Sequence, residues 1–184
     1  MATLILQMNV SLDGYVDGVD GTLDMPPPGP QVFRFWIDTV AGHSGAIYGR
    51  RMYEIMRYWD EDQADWDDAR RAFAAAWRRL PKWVVSRTLV AVGPNATLIP
   101  GNSDIEAQVR QIKAGTDGIV SVSGPEIAGL MTRLGLVDQY ELILRPYVLG
   151  QGKPFFHAAR PPLRLVSSDQ LDDETMRLIY EPAR

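Results

Sequence analysis

An α/β fold, with a mostly parallel central sheet, crossover helices and an antiparallel C-terminal edge, is the architecture this sequence predicts. Three observations predict it. Short apolar runs alternate with amphipathic helical patterns through residue 144, the order that builds parallel strands with helices between them. The last two strand-like runs, 163–167 and 176–180, have no helix between them, so the sheet should end in antiparallel strands. The 184 residues are 46% hydrophobic and 23% charged, which suits one domain, 1–184, around one core. No repeat, linker or low-complexity tract divides it.

Residues 2–10 read as a buried first strand closed by the turn Ser11-Leu12-Asp13-Gly14. From Gly14 to Pro30 the chain carries Gly18, Gly21, Pro26, Pro27, Pro28 and Gly29, a structureless stretch long enough for a flap as well as for a plain surface loop. Val32 to Val40 predicts a helix with Phe33, Trp36, Ile37 and Val40 on one face. Ala46 to Tyr48 is a brief strand running into Gly49-Arg50-Arg51-Met52-Tyr53-Glu54, where the pattern turns helical. Trp66, Phe73, Trp77 and Leu80 share the next helical face, Pro81 ends it, and Trp83 to Ser86 is a strand. Ser103 and Glu106 have capping-box spacing, Ile105, Val109 and Ile112 form the stripe behind them, and Gly115 supplies the stop. Residues 119–123 are a strand and Pro125 opens a helix whose Ile127, Leu130, Met131 and Leu134 face inward until Gly135. Tyr140 to Leu144 is the next strand, and Asp172 and Asp173 turn the chain between the last two.

Composition excludes several kinds of chemistry. The absence of cysteine removes thiol catalysis, disulfides and thiolate metal sites, and two histidines, His43 and His157, cannot furnish a histidine-rich one. Asp13, Asp17, Asp20 and Asp24 miss the EF-hand spacing, so no metal is expected. A net charge of −4 argues against a nucleic-acid partner, and no apolar run is long enough to span a membrane. The first ten residues lack a basic leader and a cleavage site, which leads us to expect a cytoplasmic protein.

Anion chemistry is the positive signal. In an open α/β sheet, ligands bind beyond the carboxyl ends of the strands, where helix N-termini present unpaired amides. Gly49-Arg50-Arg51-Met52 offers a close backbone approach and two arginines poorly placed for a helix dipole without an anion, the alternative being a solvated pair bridged to neighbouring acids. Ser86-Arg87-Thr88 surrounds a guanidinium with hydroxyls, which suits a phosphate monoester but is also ordinary turn chemistry. Ser123-Gly124-Pro125-Glu126 is a small-residue turn opening a helix, able to hold a diphosphate. Neither GxGxxG nor a P-loop occurs, and neither histidine sits in a triad setting.

Together these junctions resemble the riboflavin-pathway reductase family (RibD C-terminal domain), whose fold is the dihydrofolate-reductase-like three-layer sandwich. The resemblance runs over nearly the whole chain, through 11–15 (SLDGY), 48–54 (YGRRMYE), 81–89 (PKWVVSRTL), 122–125 (VSGP), 135–142 (GLVDQYEL) and 145–156 (RPYVLGQGKPFF). It implies NADPH as hydride donor, with Gly49, Arg50, Arg51 and Met52 and with Ser86, Arg87 and Thr88 around its phosphates. It implies Ser123, Gly124, Pro125, Glu126 and Ile127 at the diphosphate, and Met8, Asn9 and Val16 near the nicotinamide. Met52 departs from the family's usual Thr, and Ser123 from the first Gly of a Gly-Gly pair.

The resemblance implies reduction of 5-amino-6-(5-phosphoribosylamino)uracil as the leading named activity. A reductase of another pterin or small molecule and a non-catalytic NADPH-binding sensor are the alternatives. Dihydrofolate reduction needs an acid in the first helix, and residues 31–37 contain none. Asp13 and Asp24 are the candidate catalytic acids, since the flap can bring either over the nicotinamide, with water as substitute. The resemblance also implies a homodimer paired through the C-terminal strands.

Overall fold

The computed structural model describes residues 1–22 and 25–183. In chain order the elements are β1 (Thr3–Ser11), β2 (Tyr15–Asp17), α1 (Pro30–Gly42), β3 (Gly45–Gly49), α2 (Arg50–Met56), a 3-10 turn (Arg57–Trp59), α3 (Asp68–Arg79), β4 (Lys82–Ser86) and β5 (Ala96–Pro100). Then come α4 (Ile105–Gly115), β6 (Ile119–Ser123), α5 (Pro125–Arg133), β7 (Gln139–Arg145), β8 (Lys153–Pro154), β9 (Leu163–Gln170) and β10 (Met176–Pro182). Eight strands form one sheet in the order β5-β4-β3-β6-β1-β7-β10-β9. Every pairing from β5 to β7 is parallel, whereas β10 runs antiparallel to both β7 and β9.

Period-two alternation sorts the core into two layers. Leu4, Leu6, Met8 and Val10 of β1 turn to the face covered by α4 and α5, where they join Val109, Ile127, Ala128 and Met131. On the other face, Ala46, Tyr48 and Val84 meet Ile37 and Val40 of α1, Tyr53 of α2, and Phe73, Ala76 and Trp77 of α3. Helices therefore cover both faces of the sheet, giving three layers. Burial of each such aliphatic or aromatic side chain contributes about 1.5–3 kcal/mol, so a one-residue slip of β1 would forfeit four of them and the register is fixed.

Four features differ from the sequence reading. The stretch from Gly14 to Pro30 is not wholly structureless, because β2 within it pairs with β8 across the chain, Tyr15 against Pro154 and Asp17 against Lys153. Strand β5 forms at the sheet edge, where its terminal Pro100 removes no needed ladder donor. Asp104, not Ser103, caps α4: its carboxylate accepts from the Ala107 amide at 3.0 Å, while the Ser103 hydroxyl donates to the Pro100 carbonyl at 2.6 Å. Trp66 precedes α3, whose cap is Asp67, and its indole N–H donates to the Tyr58 hydroxyl at 2.8 Å. Asp24 lies outside the described residues.

Candidate functional site

A cavity of about 520 Å³ opens on the α1 side of the sheet, over the carboxyl halves of its central strands. The alternation that sends Met8 toward α5 turns Gln7 and Asn9 the other way, and both line the floor with Tyr48, Ser121, Ser123 and Arg145. Phe33, Trp36, Thr39 and Val40 of α1 form one wall, Met52 and Met56 of α2 another, and Val16, Asp17 and residues 25–28 close over them. The Trp36 indole donates to the Asn9 side-chain oxygen at 3.3 Å, fixing the helix against the floor. None of the α1 side chains on the lining is acidic, and Asp38 is exposed on the helix's outer side.

Some of the polar groups on this face of the sheet are linked in a chain. The Gln7 amide donates to Glu141 of β7, and Arg177 lies 3.6 Å from the other Glu141 oxygen while binding Asp169 at 3.0 Å. Burial pushes the Glu141 carboxyl up, with Arg177 and Gln7 pulling the other way. Burial also pulls His43, on the lining, down to about 4, which leaves its imidazole neutral at neutral pH.

At the edge of the cavity two helix starts face each other. Gly49 precedes α2 and Gly124 precedes α5, and neither helix has a side-chain cap. A Cβ on Gly124 would stand 3.4 Å from the Met52 Cβ and 3.8 Å from the Gly49 nitrogen; one on Gly49 would stand 3.5 Å from Ile127. Gly124 has φ +106, which only glycine adopts readily. Its N–H points to the Met8 sulfur at 3.4 Å, and the Ser123 hydroxyl donates to the Gln7 carbonyl at 3.2 Å. The first amides of α5 behind Pro125 have no helical partners and so present an anion-binding end. The Glu126 carboxylate turns away to Lys153, 3.0 Å distant, and that hydrogen bond holds it below its usual range despite opposing burial.

The arginines divide by partner. Register pairs Gly49 with Val85, so residues 50–51 and 86–88 leave adjacent strands at the same end. Arg50 bridges to Glu54 at 3.1 Å on the exposed face of α2, the solvated pairing the sequence left open. Arg51 donates to the Asp20 carbonyl and lies against Gly21, tying α2 to the segment that follows β2. The Ser86 oxygen accepts from the amides of Thr88 and Leu89 at 3.1 and 3.0 Å, ordinary turn chemistry that nevertheless projects Arg87 and Thr88 into solvent. Arg87 has no hydrogen-bond or ion-pair partner among the described residues.

Thus Met8, Asn9, Val16, Met52 and Ser123 meet on the cavity lining, with Gly49, Gly124 and Ile127 beside them. Asp13 is elsewhere. One of its oxygens accepts from the Ser11 hydroxyl at 2.6 Å and the Leu149 amide at 3.1 Å, and the other accepts from the Gly150 amide at 2.7 Å. The Ser11 hydrogen bond leads in holding its carboxyl below the usual range, the opposite of what a proton donor needs. Sequence reasoning did not single out Gln7, Asp17, Ser121 or Arg145 as lining residues. Counting back two from Asn9 would have found Gln7.

The family model for the RibD C-terminal domain matches residues 2–177. The uncharacterized protein YyaP of Bacillus subtilis (strain 168) is 29% identical over 185 residues, covering 96% of this chain and 93% of that one. A solved structure titled a putative riboflavin biosynthesis protein, from Shewanella sp. PV-4, superposes with a TM-score of 0.71 at 20% identity over the whole of both chains. Dihydrofolate reductase from Enterococcus faecalis, solved in complex with NADP(H), superposes with a TM-score of 0.67 at 12% identity, over 99% of this chain and 97% of that one. At such identities the two structures show a shared dihydrofolate-reductase-like fold.

Proposed function

The chain belongs to the RibD C-terminal domain family, and from that premise we propose that it is an NADPH-dependent reductase of a small heterocycle. The observation that carries this reading is the pair of uncapped helix starts at Gly49 and Gly124, placed side by side at the edge of the cavity so that a Cβ added to Gly124 would come within 3.8 Å of the Gly49 nitrogen. A diphosphate fits there because neither glycine carries a Cβ and the amides behind Pro125 are unpaired. When bound, NADPH supplies the hydride.

The chain's own residues position it. Ser123 to Ile127 and Gly49 to Met52 hold the phosphates, with backbone amides substituting for the hydroxyl that Met52 lacks. Met8, Asn9 and Val16 flank the nicotinamide. Arg87, unpaired and exposed beside Thr88 at the end of β4, takes the extra phosphate that distinguishes NADPH from NADH. With Asp13 bound into its turn, the proton comes from Asp24, which lies outside the described residues, or from water. The acceptor we name is 5-amino-6-(5-phosphoribosylamino)uracil. The site of action is the cytoplasm; among the described residues no helix is long and apolar enough to cross a membrane.

Tryptophan fluorescence, with Trp36 on the lining as reporter, tests the cofactor directly. NADPH should bind more tightly than NADH, and Arg87→Ala should weaken NADPH by about tenfold or more while leaving NADH unchanged, because one charge-assisted contact contributes about 1.5–3 kcal/mol. Equal affinities for the two dinucleotides would refute the assignment of Arg87. Failure of the wild-type protein to oxidise NADPH with the uracil substrate would refute the named activity.

A further inference from the structure

Arg145 ends β7 inside the cavity with no ion-pair partner among the described residues. It is 4% exposed, its Nε has no hydrogen-bond partner, and one terminal nitrogen reaches only the carbonyls of Pro26 and Pro27, at 3.5 and 3.4 Å. Its guanidinium also lies 5.6 Å from the centre of the Tyr147 ring. No carboxylate stands within ion-pair distance of it among the described residues. Asp172 senses it only from farther away, with one oxygen committed to the amides of Glu174 and Thr175. A guanidinium stays charged at any working pH, and burying one against long carbonyl contacts and an apolar wall is unfavourable unless a counter-charge joins it.

We propose that Arg145 anchors an oxyanion, a carboxylate or phosphate, carried by the substrate. The proposal rests on the reductase reading and specifies its acceptor: a flat ring between Trp36 and Met52 bearing a negative group at the β7 end. The dinucleotide is not that anion. Its cradle lies at the ends of β3 and β6, and β6 is separated from β7 by β1, two strand spacings or about 10 Å away. The planar fork of Arg145 matches either oxyanion, and two ligand pairs separate them.

Calorimetric titration of orotate against uracil, and of uridine 5′-phosphate against uridine, should be run with wild type, Arg145→Met and Arg145→Lys, each with and without saturating NADP+. Wild type should prefer the anionic member of at least one pair by about tenfold or more, and the pair that responds identifies the oxyanion. Arg145→Met should bring that ratio near one, and Arg145→Lys should retain part of it, a point charge in place of a fork. Without ligand, Arg145→Met should melt no lower than wild type, because it removes a buried charge that has no ion-pair partner among the described residues. Dinucleotide affinity should be the same in all three proteins. Absence of preference in both pairs, or a preference that survives Arg145→Met, would overturn the proposal. Loss of dinucleotide binding by wild type would instead sink the reductase reading, and the anion titration without NADP+ would still decide the role of Arg145.

Discussion

His43 follows directly on α1, facing the cavity, and burial alone holds its imidazole at about 4 against 6.5 in an unfolded chain. Because the folded value is the lower one, the unfolded chain binds more protons between pH 6.5 and 4, so stability falls as pH drops through that window and levels off below it. The loss is about 3 kcal/mol at its limit. Replacing the group with a neutral isostere should remove it. Urea denaturation of His43→Gln and wild type, compared at pH 7 and pH 4, should show the wild type losing more by that amount, and parallel losses would refute it. Glu141 works with the opposite sign in both proteins, since its raised carboxyl gains stability on protonation, so the comparison cancels it. Single residues were the least legible scale of the sequence. The acid in the SLDG turn was visible, but what occupies its oxygens was not: the Leu149 and Gly150 amides that bind Asp13 lie 136 and 137 residues away. Arg145 was hidden similarly, ending an apolar strand with nothing local to mark it as unpaired.

At the scale of elements, the two glycines of the cradle make a matched test. Gly49 has φ −75, open to any residue, and an added Cβ would meet Ile127 at an ordinary 3.5 Å. Gly124 has φ +106, where any side chain is strained, although an added Cβ would meet Met52 at an equally ordinary 3.4 Å. Gly124→Ala should therefore lose about 1–3 kcal/mol of stability from backbone strain together with NADPH affinity. Gly49→Ala should keep nearly all its stability, yet bind NADPH more weakly because the methyl fills space the phosphate needs. Urea midpoints read the first quantity and fluorescence titration the second; a Gly49→Ala protein that binds like wild type would show that the phosphates lie elsewhere. The long elements were legible because periodicity is local: α1, α5, β6 and the β9–β10 pair lie within a few residues of the expected spans. The short ones were not. β2 and β8 exist only because Tyr15 and Asp17 find Pro154 and Lys153 more than a hundred residues on, with Gly152 at φ +156 leaving room for the Asp17 carbonyl. The capping box failed for a nearby reason, as Asp104 offers the same acceptor one residue later and frees Ser103 to bond backward.

The molecule as a whole has two sheet edges, and they are not equivalent. β5 is five residues long and closes on a proline, a short edge that discourages further pairing. β9 is eight residues long, almost wholly exposed, and presents Leu165 at 50% and Val166 at 45% exposure. Its charges do not guard it, since Arg164 is bonded to Glu181 and Asp169 to Arg177, both on its own partner strand. A long edge with apolar side chains and neutralised charges is what a second copy of the chain would cover, and a two-fold pairing needs only this one self-complementary patch. The sequence could place two antiparallel strands at the end of the chain, but not show that the last strand in space is β9 rather than β10; that follows from β10 inserting beside β7. We therefore expect a homodimer through β9. Light scattering across a range of protein concentrations should give twice the chain mass, and the double substitution Leu165→Lys, Val166→Lys should give the chain mass. No β9 residue lines the cavity, so the monomeric variant should still bind NADPH. A wild-type monomer at every concentration, or a variant that remains dimeric, would place the contact elsewhere or remove it.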